Sequence, residues 1–189
     1  RCLAIFQKLG SLSHIAITYQ NIGAEQLAMG NYGKAQEAFQ RSLDTADQVD
    51  DKPLMGVALS DISEIHLLLG SYDDALDYAQ RSLKLLKKVG EQRPIADSLE
   101  TVGEIYASTG NYNAALKIFK EEFRLGEEIK DPIKLASSQY QIGVTYAMLG
   151  DYDRALTNYK SALALWSAAE IKLWMGKCYL MIGSAEFHK

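Results

Sequence analysis

The sequence of 189 residues is short of the two residue types that make most turns, with only 3 prolines and 14 glycines. A sandwich or barrel of short strands needs many such turns, so the shortage argues against an all-β fold and favours helices. The hydrophobic share of 48% and the charged share of 23% are typical of a globular protein. This composition argues against a disordered chain.

The sequence also lacks an excess of basic residues and a long apolar run. Its formal net charge is −4, whereas binding to a phosphate backbone or an anionic membrane surface depends on clustered lysine and arginine. No apolar stretch reaches the roughly 18 residues that cross a bilayer, and no signal-type leader opens the sequence. We therefore expect no nucleic-acid partner, no membrane partner and a cytoplasmic location.

Cysteine is scarce, and the usual signatures of enzymes are missing. Cys2 and Cys178 lie almost a chain length apart, and no group of cysteines and histidines has the spacing of a metal site. The sequence contains no glycine-rich phosphate-binding motif, and its histidines do not combine with a nucleophile into a catalytic set. We predict packing roles for His66 and Cys178, and no catalytic residue, metal or cofactor.

What the sequence does contain is a pattern with a period of 40 residues. It predicts four full repeats at 11–50, 51–90, 91–130 and 131–170, with half repeats at 1–10 and 171–189. Because the chain opens inside a repeat and starts with Arg1, we expect residues 1–189 to be a single repeat domain, a fragment of a longer array. The aligned columns are Gly30, Gly70, Gly110 and Gly150; Tyr32, Tyr72, Tyr112 and Tyr152; Ala35, Ala75, Ala115 and Ala155; and Leu43, Leu83, Phe123 and Leu163.

Each repeat is predicted to hold two antiparallel helices of roughly 16 to 18 residues, because its apolar residues recur at steps of three and four. The repeated glycine suits the left-handed conformation that ends a helix, and the Asn, Ser or Asp after it can cap the next one. Small residues on the first helix allow close contact with the second; they include Gly23, Gly103, Gly143 and Gly183. The sequence therefore predicts an all-α fold, an α-solenoid stabilised by stacking of neighbouring repeats.

These columns resemble the tetratricopeptide repeat. The usual repeat of that family has 34 residues, and the longer unit here is similar to the repeats of Leu-Gly-Asn-type adaptors, bacterial signalling proteins and peptide-pheromone sensors. The resemblance implies a right-handed superhelix. It is plainest in Val102-Gly103, Tyr106, Gly110, Tyr112, Ala115 and Phe119, and in Ile142-Gly143, Tyr146, Gly150, Tyr152, Ala155 and Tyr159.

The resemblance also implies a concave groove lined by the first helix of each repeat. Carboxylates that line one concavity favour a partner carrying lysine or arginine. The alternative is that these acids only keep an exposed helix face soluble. The positions that should face the groove are Ile17, Gln20, Asn21 and Ala24; Val57, Ser60, Asp61 and Glu64; Asp97, Glu100, Thr101 and Glu104; and Ser137, Tyr140, Gln141 and Val144.

From this set we select nine partner-binding candidates: Gln20, Asn21, Asp61, Glu64, Asp97, Glu100, Glu104, Tyr140 and Gln141. The predicted function is that of a non-enzymatic scaffold that binds a peptide or helical segment of a partner protein, with a basic segment as the candidate ligand. The alternative function is a peptide-sensing regulatory module that controls an attached effector domain. An enzyme ranks last.

The two ends of the chain predict head-to-tail stacking between copies. Each end carries apolar residues on a helix whose usual partner is absent: Leu3, Ile5, Phe6 and Leu9 at the front, and Trp174, Met175, Tyr179 and Ile182 at the back. A contact of this kind does not close on itself. Light scattering should therefore show association that grows with concentration, and a strict monomer at high concentration would contradict this prediction.

Overall fold

The computed structural model describes residues 2–189, and over these residues the chain is all-α. From α2 onward each helix has 17 or 18 residues, which confirms the predicted length. The helices are α1 (Cys2–Leu9), α2 (Leu12–Ala28), α3 (Tyr32–Gln48), α4 (Lys52–Leu68), α5 (Tyr72–Val89), α6 (Gln92–Ser108), α7 (Tyr112–Ile129), α8 (Pro132–Met148), α9 (Tyr152–Ala168) and α10 (Lys172–His188).

The helices form two compact units, which divide within α6 after Thr101. In the first unit α2 packs on α3 and α4 on α5, and α3 also contacts α4. In the second unit α7 packs on α8, α8 on α9 and α9 on α10. Sequential antiparallel pairing confirms the prediction of a tetratricopeptide-like solenoid fold.

The first helices of consecutive repeats also touch each other directly. Helix α2 contacts α4 in the first unit, and α8 contacts α10 in the second. Within the described residues of each unit, the corresponding second helices, α3 and α5 or α7 and α9, make no such contact. Within each unit, the first helices in contact therefore lie side by side and share a face.

The repeated columns form the core of each unit. The alanine that follows each Gly-x-Tyr turn is completely buried in all four repeats, and Phe39, Phe119 and Tyr159 are no more than 1% exposed. Phe39 packs with Ile62 and Ile65 in the first unit, and Phe119 and Tyr159 share one cluster in the second. Each fully buried large apolar side chain contributes about 1.5–3 kcal/mol, so these columns supply much of the stability.

The turns between paired helices contain the predicted left-handed glycine in all four repeats, but the predicted side-chain cap in only two of them. The repeated glycine has a φ of 74° to 77° in all four repeats, in the left-handed region that glycine tolerates. The side chains of Asn111 and Asp151 accept a backbone N–H bond from the first turn of the following helix. The prediction is wrong for Asn31 and Ser71, whose side chains make no such bond. Asn31 instead donates from Nδ2 to the side chain of Gln26.

The predicted close contact within helix pairs is confirmed at the glycines of the first helices. A Cβ placed on Gly103 would lie 2.4 Å from the ring of Phe119, and one on Gly23 would lie 2.4 Å from the ring of Phe39. Gly183 occupies the same column in α10, but a Cβ there would meet nothing within 4 Å. Glycine is therefore required in this column only where a ring of the second helix packs against it.

The apolar residues exposed at the two ends differ from those that the sequence singles out. Ile5 and Leu9 of α1 are exposed, as predicted. Of the four residues named on α10, only Tyr179 is exposed. Trp174 and Met175 pack on the cluster around Trp166, and Ile182 packs on the cluster around Tyr159. The other large apolar residues exposed on α10 are Leu173, Leu180 and Phe187.

Substitution of Gly103 by alanine tests this helix contact. We expect Gly103→Ala to lower the free energy of unfolding by about 1–2 kcal/mol, because overpacking against the buried Phe119 ring outweighs the better helix propensity of alanine. Thermal unfolding followed by circular dichroism measures the change. The matched control, Gly183→Ala, should leave the stability unchanged or raise it by up to about 1 kcal/mol. Equal effects of the two substitutions would contradict the close-contact explanation.

Candidate partner-binding surface

The structure places all nine predicted site residues on the first helices of their repeats. Six belong to the first unit: Gln20 and Asn21 on α2, Asp61 and Glu64 on α4, and Asp97 and Glu100 on α6. Three belong to the second: Glu104 on α6, and Tyr140 and Gln141 on α8. Asn21, Glu64 and Asp97 are exposed, and the other six are half-buried.

In the first unit a hydrogen bond joins the first helices of two consecutive repeats. The side-chain Nε2 of Gln20 on α2 donates to Oδ2 of Asp61 on α4, 41 residues away in the sequence. The other end of the same amide, Oε1 of Gln20, is buried and has no hydrogen-bond partner within the described part of the chain. Asp61 is thereby held half-buried between two helices rather than in open solvent.

The carboxylates of Asp61, Glu64, Asp97 and Glu100 form what we call the acidic surface. Burial, together with the charges of Glu64 and Asp97, raises the pKa of Asp61 to about 8. Burial also raises the pKa of Glu64, with Glu100 contributing. Glu64 and Asp97 therefore lie near enough to act on Asp61, and Glu100 lies near enough to act on Glu64.

The charge of this surface at neutral pH is smaller than the sequence suggests. With a pKa of about 8, Asp61 holds a proton in most molecules at pH 7. Counting carboxylates along the sequence assigns Asp61 a full negative charge, because burial by a neighbouring helix cannot be read from spacing. The acidic surface is therefore poised to gain negative charge between pH 7 and 9.

A similar bridge joins first helices in the second unit. Nε2 of Gln141 on α8 donates to Oε1 of Glu104 on α6 at 2.5 Å. An amide therefore pairs with a carboxylate across consecutive first helices in both units. The pairing uses different repeat positions in the two units, so the periodic pattern alone does not reveal it.

Tyr140 lies in an aromatic cluster rather than alone on the helix surface. Its ring centroid is 5.8 Å from that of Tyr159 and 5.5 Å from that of Trp174. Trp174 in turn stacks on Trp166 at 5.4 Å, and Nζ of Lys177 lies 3.8 Å from the ring centroid of Trp174. Tyr140 is therefore restrained by packing while one side of it stays accessible.

Lys177 is a cation on a first helix that the sequence analysis missed. It lies five residues before Ile182 of the apolar column, which is the spacing that selects Ile17, Val57 and Asp97 in earlier repeats. The spacing in the sequence therefore identifies Lys177 as a groove-facing position, but the sixteen positions chosen above come only from the four full repeats. Extending it into 171–189 adds one exposed positive charge to the face formed by the first helices.

His66 and Cys178 have the packing roles that the sequence predicts. The His66 ring stacks on Tyr78 at a centroid distance of 5.3 Å, and its Nε2 lies 3.4 Å from Nε2 of Gln36. Cys178 is fully buried beside Trp166, and burial raises the pKa of its thiol. Nδ1 of His66 also lies 3.9 Å from Oδ2 of Asp74 at the start of α5.

The described residues contain neither a metal-binding cluster nor a membrane-spanning helix. Among residues 2–189, no three histidine, cysteine, aspartate or glutamate side chains are grouped in a way that could hold a metal ion. None of the helices described is both long enough and apolar enough to cross a bilayer.

The chain belongs to the tetratricopeptide repeat family. The sequence profile of that family matches residues 15–88 and 94–168, which together make up most of the chain. The resemblance drawn from the Gly-x-Tyr turns and the alanine and aromatic columns is thereby confirmed. Among curated proteins, none matches the sequence at a significant level.

Several solved structures share the fold. A Rap protein complexed with competence and sporulation factor superposes with a TM-score of 0.80 at 15% identity, over 92% of this chain and 48% of that one. BtubC from P. vanneervenii gives 0.84 at 16%, over 100% and 80% of the two chains. Aspartyl phosphate phosphatase F from Bacillus subtilis gives 0.83 at 15%, over 93% and 48%. This chain thus spans about half the length of the Rap protein and of the phosphatase, and identities this low show the fold alone.

Replacement of Asp61 by asparagine tests the cause of its raised pKa. The folded state holds this proton more tightly than the unfolded state, so stability is full below about pH 4 and is lost as pH rises towards the folded pKa of about 8. Asp61→Asn removes that loss and can still pair with Gln20. We expect the variant to gain about 2 kcal/mol at pH 8.5 and little at pH 4, as measured by urea unfolding across that range.

The control is Asp47→Asn, which neutralises an exposed acid near the end of α3. It should shift stability by a similar small amount at every pH. If Asp61→Asn and the unsubstituted protein lose stability in parallel between pH 4 and 8.5, burial of Asp61 is not the cause.

Proposed function

We propose that the chain is a protein-interaction scaffold that binds a peptide or helical segment of a partner on the face formed by its first helices, and that the favoured segment is basic. The observation that carries this proposal is the proximity of four carboxylates: the charges of Glu64 and Asp97 raise the pKa of Asp61, and the charge of Glu100 raises the pKa of Glu64. An incoming cation relieves that repulsion. It also meets a negative potential before contact, which speeds association.

The burial of Asp61 supports recognition over the solubility explanation. An acid that only keeps a helix face hydrated is best placed in full contact with water. Asp61 is instead half-buried, and its pKa is raised to about 8 chiefly by desolvation. A half-buried carboxyl group lowers the stability of the fold at alkaline pH. Such a cost is expected at a binding surface rather than at a helix face that only has to stay hydrated.

In the second unit we propose Glu104, Tyr140 and Gln141 as partner contacts. The half-buried Tyr140 ring, backed by Tyr159 and Trp174, offers a rigid apolar surface with little conformational freedom left to lose. Lys177 beside Trp174 adds a positive charge to this part of the surface. The second unit is therefore suited to an apolar or aromatic side chain of the partner, with selectivity different from that of the acidic surface.

The second candidate function is a regulatory module that senses a peptide and controls an attached effector domain. It is favoured by the similarity in fold to a Rap protein whose structure holds competence and sporulation factor. Because this chain spans about half of that protein, the attached domain is part of the proposal. Enzymatic activity ranks last, since aspartyl phosphate phosphatase F from Bacillus subtilis is only 15% identical to this chain, which shows a shared fold alone.

A peptide array tests the preference for basic segments. We expect arginine- and lysine-rich peptides to be enriched among binders, and Glu64→Lys and Glu104→Lys each to weaken their binding about five- to tenfold, which corresponds to about 1 kcal/mol. Added salt should weaken binding further. Asp47→Lys makes the same charge change on a second helix and serves as the matched control.

Indifference to both charge reversals and to salt would refute the basic-segment proposal. Sedimentation of the same complexes separates the two candidate functions. A scaffold keeps its hydrodynamic radius when a short peptide binds, whereas a sensor changes it.

A further inference from the structure

The second helices of the second unit border a cleft whose floor is formed by α8. Helix α8 packs on both α7 and α9, whereas α7 and α9 do not contact each other within the described residues of that unit. Tyr146 of α8 is more than nine-tenths buried and is contacted from both walls. Because second helices form its walls, this cleft is distinct from the face formed by the first helices.

Two cations from different helices meet at the Tyr146 side chain. From α7, Nζ of Lys120 donates to the phenolic oxygen at 3.4 Å and lies 5.8 Å from the ring centroid. From α9, Cζ of Arg154 lies 4.5 Å from the same centroid. Like charges repel, so placing both cations on one neutral side chain raises the energy of the empty cleft. An anion between them relieves this repulsion.

The groups that meet at Tyr146 are hydrogen-bond donors. Lysine and arginine have only N–H donors, and a phenol that accepts from a lysine still has its own O–H to donate. Asp151 takes up part of the Arg154 guanidinium, since its Oδ2 accepts from Nε at 2.6 Å and lies 2.5 Å from Nη2. No carboxylate within residues 2–189 pairs with Lys120. An oxyanion such as a carboxylate matches this set of donors.

Lys120 belongs to a row of cations along α7. Lys117 lies three residues before it and Arg124 four residues after it, so all three are on one side of the helix. All three are exposed, and none forms an ion pair with another described residue. A single small anion would neutralise only part of such a row, whereas a segment with several carboxylates can neutralise all of it.

The fold itself does not require this arrangement of charges. The residues in register with Lys120, Tyr146 and Arg154 two repeats earlier are Gln40, His66 and Asp74. In the first unit, a carboxylate thus lies 3.9 Å from the His66 ring, where the second unit has a guanidinium. The row on α7 likewise corresponds to Glu37, Gln40 and Asp44 on α3. Charges that change while the packing repeats indicate a surface with a function of its own.

We propose that the cleft between α7 and α9 binds an acidic segment of a partner protein. One carboxylate of the segment lies between Lys120 and Arg154 and accepts the O–H of Tyr146, and others follow the row along α7. Complementary charge gives such a contact its specificity and speeds the encounter. We call this surface the basic cleft; it consists of Lys117, Lys120, Arg124, Tyr146 and Arg154.

A protein segment fits the basic cleft better than a nucleic acid does. Binding to a phosphate backbone strengthens with the number of phosphates that lysine and arginine neutralise. The basic cleft offers few cations, Asp151 adjoins one of them, and the whole chain has a formal net charge of −4. A peptide with spaced carboxylates can meet the cations without approaching Asp151.

Proton–nitrogen correlation NMR tests the proposal by titrating the nitrogen-15-labelled protein with an acetylated and amidated hexa-glutamate peptide at pH 7. We expect saturable shifts for Lys120, Tyr146, Arg154 and their neighbours on α7 and α9, and none on α2 and α4. Raising the ionic strength from about 50 mM to about 300 mM should weaken the binding several-fold, because salt screens exposed charges.

Substitutions assign the binding to the cleft. Lys120→Gln and Arg154→Gln should each weaken it about five- to tenfold, as expected for the loss of one charge-assisted contact. The matched control is Lys160→Gln on α9, where Lys160 lies 3.8 Å from Glu186 of α10; it should change the affinity by less than about twofold. Asp151→Asn can still cap α9 and frees Arg154, so it should tighten binding about two- to threefold. A damaged fold would not produce that gain.

Three results would overturn the proposal. The first is the absence of saturable shifts with hexa-glutamate. The second is equal weakening by the substitutions of Lys120, Arg154 and Lys160, because the peptide would then respond only to total charge. The third is tighter binding of inorganic phosphate or of hexathymidylate than of the peptide, which would make an acidic segment the wrong occupant. None of these results bears on basic peptides at the acidic surface, so the two proposals can fail separately.

Discussion

The contact between a small residue on the first helix and a large side chain on the second determines the geometry of the helix pairs. Where Gly103 faces Phe119, the ring occupies the space that any side chain would need. This fixes both the distance between the two helices and the rotation of the first helix about its axis. The side chains two or three residues before this column lie on another side of the first helix: Gln20 precedes Gly23, Asp61 precedes Ser63, and Gln141 precedes Gly143. The position of the candidate surface is thus a consequence of packing within the helix pair.

Much of the fold could be predicted because the packing repeats with the sequence. The alanine after each Gly-x-Tyr turn is fully buried and the turn glycine is left-handed in all four repeats, so one column of residues corresponds to one structural role. The caps of the second helices show the limit of this reasoning. Asn31 and Asn111 occupy the same column, but only Asn111 caps its helix, while Asn31 bonds to Gln26. The hydrogen-bond partner of a polar side chain depends on neighbouring residues that differ from repeat to repeat.

The helices that carry the nine candidate residues were predictable, but the surroundings of their side chains were not. The register of the first helices placed nine residues on the expected elements. It could not show that Gln20 reaches Asp61 or that Asp61 is half-buried, because both depend on how far α2 stands from α4. The negative charge of the acidic surface at neutral pH is therefore smaller than the number of its carboxyl groups. The tetratricopeptide fold defines where a ligand binds, but the side chains on the first helices define which one.

The amide bridges at Gln20 and Gln141 affect how this surface could diverge among related proteins. A glutamine pairs with a carboxylate as donor and with another amide as both donor and acceptor. Exchange of Glu104 for glutamine therefore removes a negative charge and leaves the link between the two helices intact. Exchange of Asp61 for asparagine also keeps the link, and it removes the charge that Asp61 carries above its pKa of about 8. If the surface binds basic segments as proposed, such single exchanges shift its preference towards neutral segments without a compensating change in the scaffold.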